Sequence, residues 1–246
     1  MLSPSPHDGV EGLNKLGALQ ERLLAVKFLR AARAFYKLSY LASKTGVDAT
    51  LLSRYSKGHV LPGPLQAAKL INGLRDAVDL PHLIIEEART PGGMVDTTLP
   101  LMNKDLLTLV LVEFYLRWRD KGVDKILVPE TSGVILASGM GQMLDVDVVI
   151  ARKRKTSPGL RWIESHISVP PNISRAFYIP FGKIRRMDRV LIVDDLVRSG
   201  YTLAAAKQLV EAVGAEVAGV VSLIVFGSGW GKVSGIESVD SLVYVE

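Results

Sequence analysis

Two aspartates, Asp194 and Asp195, stand side by side where the apolar run of VLIVDDLVRSGYT (190–202) ends, and a short loop holding Ser199, Gly200 and Thr202 follows. Adjacent carboxylates can accept hydrogen bonds from vicinal hydroxyls, or hold a hydrated cation such as magnesium. The loop is predicted to turn from a strand into a helix. Its amides and hydroxyls would then face a helix N-terminus, where a phosphate is favoured. Diol acceptors beside a phosphate cradle describe a sugar phosphate. Paired aspartates at a strand end also serve as helix caps or metal ligands, so it is the order of strand, acid pair and small-residue loop that favours the sugar phosphate.

The elements that must position this pair are legible as an alternation. DKILVPE (124–130) precedes a Gly-containing turn, DVDVVIARK (145–153) is a second buried strand, and RVLIVDD (189–195) is a third. A helix over 203–213 stops at Gly214, and AEVAGVVSLIVF (215–226) follows. Strands alternating with helices predict an α/β fold with a mostly parallel sheet and crossover helices, whose ligands bind beyond the carboxyl ends of the strands. The segment TSPGLRWIESHISVPPNISRAFYIP, rich in Pro, Ser and Asn, is predicted to be a long irregular loop with a functional or mobile role. Before residue 75 the pattern is helical, with Leu23, Val26, Leu29 and Ala32 recurring on one face. The expected organisation is a small all-α domain over 1–80, a linker over 81–94 and the α/β domain over 95–246.

Composition excludes several classes. The 246 residues contain no cysteine, which removes disulfides, thiolate metal sites and cysteine nucleophiles. The N-terminus MLSPSPHDGV lacks the pattern of a signal peptide, and no apolar run is long enough to span a membrane, so a cytoplasmic location without membrane partners is expected. The net charge of +5 is concentrated in residues 1–80, which hold 11 Lys and Arg against 6 Asp and Glu. A basic segment on a neutral body suggests a polyanion partner for that segment alone.

VLIVDDLVRSGYT resembles the signature with which type I phosphoribosyltransferases bind phosphoribosyl pyrophosphate (PRPP), and the likeness extends over roughly 95–246. The resemblance implies that Asp194 and Asp195 contact the ribose hydroxyls, with magnesium held indirectly through ligand or water. It implies that Arg198, Ser199, Gly200, Tyr201 and Thr202 wrap the 5-phosphate. VPETSG places Glu130, Thr131, Ser132 and Gly133 at the pyrophosphate loop, and ARKRK places Arg152 and Lys153 at the mobile loop that closes on pyrophosphate. The stretches 94–107 and 238–246 are placed like the hood that selects a base. The family often carries a Lys or Arg in the pyrophosphate loop, where this chain has Glu130, whose charge would oppose pyrophosphate unless it points away.

Residues 37–62, KLSYLASKTGVDATLLSRYSKGHVLP, resemble a helix-turn-helix of the phage-repressor type: an Ala, a turn Gly four residues on, and an aliphatic six beyond it. That likeness implies DNA as a partner. Asp48, Thr50, Ser53, Arg54 and Lys57 would lie on the exposed face of the recognition helix, with Thr50 and Arg54 near base edges and Ser53 and Lys57 near phosphates.

The remaining candidates carry less. His7, His59, His82 and His166 show no metal-ligand spacing, and Glu164 and His166 are the acid–base candidates of the long segment, though lone loop residues are more often incidental. Trp230 and Tyr244 suit either base stacking or a core, while Lys183, Arg185 and Arg186 suit a charged turn. Together the chain resembles the archaeal phosphoribosyltransferase-like transcriptional regulators. That implies a homodimer binding DNA through residues 1–80 and sensing PRPP or a purine nucleotide. The alternative is an active purine-type or orotate phosphoribosyltransferase whose N-terminal domain serves assembly.

Overall fold

The computed structural model describes residues 6–169 and 173–246. The first five residues of the expected N-terminal domain, and residues 170–172 within the long segment, lie outside them. The chain divides into two compact units. One holds the chain up to Leu80 together with Lys104–Val112, and the other holds Pro81–Asn103 and Glu113–Glu246.

The first unit is helical. It contains α1 (Pro6–Ala32), α2 (Leu38–Thr45), α3 (Ala49–Lys57) and α4 (Pro64–Ala77). Val26, Leu29 and Ala32 are buried as their spacing predicts, whereas Leu23 is half exposed. Helix α2 ends at Gly46 in the left-handed region, with its amide donating to Ala42 O at 2.9 Å. The buried Thr45 lies so close to α4 that a Cβ on Gly73 would come within 2.6 Å of its Cα. Asp48 caps α3 by accepting from the amides of Thr50 and Leu51, which satisfies two donors that the first turn leaves free. On the inner side of α3, Leu52 and Tyr55 are buried. Ser56 O accepts from Arg30 Nε at 2.6 Å, and Ser56 Oγ from Arg33, tying α3 to α1.

The stretch read as a linker carries most of α5 (Leu80–Ala88), and α6 (Thr98–Met102) and α7 (Lys104–Trp118) follow. The second unit is then built as β1 (Lys125–Pro129), α8 (Val134–Leu144), β2 (Asp147–Ala151), β3 (Trp162–Val169), β4 (Ile173–Pro180), β5 (Arg189–Val197), α9 (Tyr201–Ala212), β6 (Glu216–Phe226) and β7 (Asp240–Val245). Five strands form one sheet in the order β2-β1-β5-β6-β7, every pair parallel. This is the expected α/β fold with a parallel sheet and crossover helices.

The long segment differs from expectation. Where sequence suggested an irregular loop, β3 and β4 pair antiparallel over their whole length. The strand period is present: Ser165 and Ile167 are buried while Glu164, His166 and Ser168 are exposed. A serine on the inner face obscured it, its hydroxyl being satisfied by Gln208 Oε1 at 2.7 Å. One apolar core joins Leu127, Val149 and Ile192 of the sheet to Leu203, Ala206 and Leu209 of α9 and to Ile167, Phe177 and Ile179 of the hairpin. Among the described residues, no helix is long and apolar enough to cross a membrane.

Candidate functional site

The strand order fixes where a ligand would sit. From β1 the chain moves through α8 to β2 on one side, and from β5 through α9 to β6 on the other, so the direction reverses between the neighbours β1 and β5. At such a switch point the loops leaving the two carboxyl ends diverge and open a crevice. Here those loops are 130–133, after β1, and 198–200, after β5. Both contain residues singled out from sequence.

A cavity of about 240 Å³ lies at the second loop, lined by Asp194, Leu196, Val197, Arg198, Ser199, Gly200, Thr202 and Leu203. Gly200 stands at the N-cap of α9 with φ +77°, and Ala204 N donates to its carbonyl at 2.8 Å. The orphan amides of the first turn of α9 are thereby carried at this loop, a favourable seat for an anion. The loop is backed by 229–233: a Cβ on Gly229 would lie 2.7 Å from Arg198 O, and one on Gly200 would lie 2.9 Å from both Trp230 Cα and Val233 Cγ2. The Arg198 guanidinium stacks 5.0 Å from the centre of the Phe226 ring. Tyr201, expected in the same loop, instead packs against the core and lines a neighbouring cavity of about 440 Å³.

The acidic pair is split by strand alternation. Asp194 lines the cavity, and its Oδ1 accepts from Asp195 N at 3.0 Å. Burial, and then the adjacent Asp195 carboxylate, push the Asp194 carboxyl well above the ordinary carboxylate range, with Lys153 opposing them. Asp195 is buried, and its Oδ2 accepts from the Thr97 hydroxyl. Sequence reasoning missed Thr97, which is 98 residues away along the chain; only the hood-like placement of 94–107 pointed near it.

The first loop crosses close to this pair. Gly133 is buried, and a Cβ there would lie 3.1 Å from Asp194 Cα and 3.1 Å from Asp195 N. The Glu130–Thr131 peptide is cis. Glu130 N donates to Ala151 O at 2.9 Å, and its Oε2 accepts from Lys153 N at 3.0 Å, so the carboxylate is turned onto the start of the basic run. Thr131 is exposed and Ser132 half-buried beside it. Arg152 is held through its backbone to Tyr178, and its side chain lines a separate cavity of about 300 Å³ with Asp147, Pro180 and Lys183. Of the two basic candidates, Lys153 is the one whose charge reaches Asp194.

Other candidates fall elsewhere. Glu164 and His166 share the solvent face of β3, where Glu164 pairs with Lys155 at 2.9 Å and lies 3.8 Å from His166. That hydrogen bond from Lys155 holds the Glu164 carboxyl below its ordinary range. Neither lines the crevice. Trp230 packs against the core, and the Tyr244 hydroxyl donates to Val239 O while accepting from Ser241 N. Lys183, Arg185 and Arg186 occupy the turn before β5, where Asp188 accepts from Arg185 N. In the helical unit, Thr50, Arg54 and Lys57 are exposed on α3, and Ser53 is half-buried. Among the described residues, no group of three or more His, Asp or Glu side chains is placed to hold a metal.

Fold and crevice together define the second unit as an open parallel α/β protein of the switch-point class. A model of the phosphoribosyl transferase domain matches residues 108–244, more than half of the chain, and the chain belongs to that family. Among its relatives, HGPRTase-like protein 2 of Haloterrigena turkmenica is 32% identical over 159 residues, 63% of this chain and 82% of that protein. A hypoxanthine/guanine phosphoribosyltransferase of Methanococcus voltae is 31% identical over 144 residues, 57% of this chain and 73% of its own length. Among solved structures, adenine phosphoribosyltransferase from Rhodothermus marinus shares the fold with a TM-score of 0.59 at 24% identity, covering 68% of this chain and 98% of that one. The Trypanosoma brucei adenine phosphoribosyltransferase, solved with AMP, pyrophosphate and ribose-5-phosphate, does so with a TM-score of 0.58 at 21% identity, over 67% and 79%.

Proposed function

We propose that this chain is a DNA-binding transcriptional regulator whose phosphoribosyltransferase-like domain binds PRPP or a purine nucleotide as effector. The observation that carries the reading is α3. It is a short capped helix presenting Thr50, Arg54 and Lys57 to solvent, within a basic helical segment that precedes the family's domain. A capped helix following a tight turn, with an exposed Thr in its first turn and exposed Arg and Lys in its last, suits major-groove reading flanked by phosphate contacts. Residues 1–80 would form the DNA-binding domain, 81–94 the connection and 95–246 the effector domain, in a cytoplasmic homodimer that matches two half-sites.

In the effector domain, Asp194 and Asp195 would accept the ribose hydroxyls, and Arg198, Ser199, Gly200 and Thr202 would surround the 5-phosphate, with Tyr201 supporting the loop from behind. Amides of 130–133 and the cation Lys153 would face pyrophosphate, with Arg152 in the separate cavity beside Lys183. The residues fit magnesium only in part. Two adjacent carboxylates supply too few oxygens to hold it alone, so it would be bound through the ligand's own oxygens, neutralising their charge. Ligand and DNA would be linked through a coupling energy of about 1–3 kcal/mol, felt equally from either site.

A second reading, a working purine-type phosphoribosyltransferase, is favoured by one observation: Glu130 is turned onto the Lys153 amide, which removes its charge from the path of pyrophosphate. Fluorescence anisotropy on DNA from upstream of its own gene and on a scrambled duplex, with and without PRPP and magnesium, tests the first reading. A preference for the upstream duplex that shifts with PRPP is expected. Equal, weak, PRPP-indifferent binding would overturn it, and pyrophosphate release with one base would then establish the enzyme.

A further inference from the structure

Asp195 is 5% exposed, and the residue bonded to it, Thr97, is 6% exposed. The Thr97 hydroxyl donates to Asp195 Oδ2, so this carboxylate already carries the kind of O–H donor that a sugar hydroxyl would bring. In keeping with that, Asp194 lines the crevice and Asp195 does not.

Thr97 does not sit on slack chain. Arg89 and Val95 pair as an antiparallel bridge, and Thr90 N donates to Met94 O at 2.9 Å. Asp96 N donates to Ala88 O at 2.8 Å, the last residue of α5. On the other side, Asp96 Oδ1 accepts from Thr98 N at 2.9 Å and from Thr98 Oγ1 at 2.6 Å, at the start of α6. The turn that carries Thr97 is therefore clipped to both neighbouring helices, and a shift of Thr97 must move the turn or break one of these bonds. The first of those helices begins at Leu80, the last residue of the N-terminal stretch of the helical unit.

We propose that Thr97 is an internal occupant of the acidic pair, displaced from Asp195 when a vicinal diol binds, and that its displacement loosens segment 89–103. This rests on reading the crevice as a ribose-phosphate site. The sign follows from the donor count. Thr97→Val removes the donor from a buried carboxylate in the free protein, and a bound diol restores one. Relative to the bound state, the free state is then raised by about the net worth of one hydrogen bond, which makes binding about 3- to 10-fold tighter. A residue that merely held Asp195 ready for ligand would give the opposite sign, weaker binding on its removal. Thr97→Ser keeps the hydroxyl and should keep the native affinity.

The test is amide hydrogen exchange of the full chain with and without PRPP and magnesium, together with titration of PRPP into the native protein, T97V and T97S. The expected result is that PRPP protects 198–202 and speeds exchange across 89–103. T97V should exchange fast in 89–103 without ligand and bind PRPP more tightly, while T97S follows the native protein. Protection of 198–202 with no response in 89–103, or weaker binding by T97V, overturns the proposal and leaves the site reading standing. If T97V does not fold, the native response in 89–103 decides. Absence of any protection at 198–202 sinks the ribose-phosphate reading and this proposal with it. A response in 89–103 without any effect on DNA binding would support the displacement and overturn the regulator.

Discussion

Replacing Gly200 by Ala separates two costs that the geometry of loop 198–200 combines. At φ +77° an L side chain is disfavoured by about 1–2 kcal/mol. The added Cβ would also meet the Trp230 main chain and the Val233 side chain at 2.9 Å, and shifting a packed backbone adds about 1–3 kcal/mol. The expected destabilisation is about 2–5 kcal/mol. Gly227→Ala supplies the control, because Gly227 has φ +60° with nothing within 4 Å of its would-be Cβ, leaving only the backbone cost of about 1–2 kcal/mol. Urea unfolding read by tryptophan fluorescence measures both, since Trp118, Trp162 and Trp230 all belong to the second unit and the helical unit is silent. Gly200→Ala should also lose PRPP binding, because the loop amides move with the backbone, whereas Gly227→Ala should retain it. Equal costs for the two variants, or undiminished PRPP binding by Gly200→Ala, would refute the reasoning.

Gly133→Ala probes the crossing of the two loops without a backbone penalty, since its φ of −60° suits any residue; with contacts of 3.1–3.2 Å to Asp194 and Asp195, it should leave stability within about 1 kcal/mol yet weaken PRPP binding roughly tenfold, as calorimetry would show. Arg54→Ala should reduce specific DNA affinity by about 1–3 kcal/mol and relax sequence preference, whereas Lys57→Ala should weaken all duplexes alike and lower the salt slope by about one; anisotropy across a salt series distinguishes them. The amides of Leu51 and Thr50 hold the Asp48 carboxyl below its ordinary range, so its contribution to folding is fully present above the unfolded carboxylate value and is lost as pH falls through the lower folded value. Thermal unfolding followed by circular dichroism should accordingly show Asp48→Ala less stable than the native chain at neutral pH, the gap closing in acid; a gap independent of pH would remove the cap from the argument.

What the sequence made legible is what local pattern controls. β1, β5 and β6 are near-continuous apolar runs followed by a turn or helix, and their alternation with helices implied the parallel sheet, whereas the order β2-β1-β5 that makes the switch point is set by the fold. The turn from β5 into α9 was legible because a left-handed glycine at a helix N-cap leaves a mark in consecutive residues. The β3–β4 hairpin was not, because Ser165 puts a polar residue on its buried face and the partner that satisfies it, Gln208, lies on α9. The same limit explains the rest. Asp240 accepts from Arg117 and from the indole of Trp118, fixing the start of β7 across more than 120 residues. Thr97 reaches Asp195 across 98. Neither pair has a period or a spacing to betray it, since a hydrogen bond between distant segments is set by where the fold brings them. The acid pair could therefore be recognised from its own thirteen residues, while the hydroxyl that occupies half of it could not. A site read from a motif alone omits what the rest of the chain has already placed there, and at Asp195 that is the contact on which binding would depend.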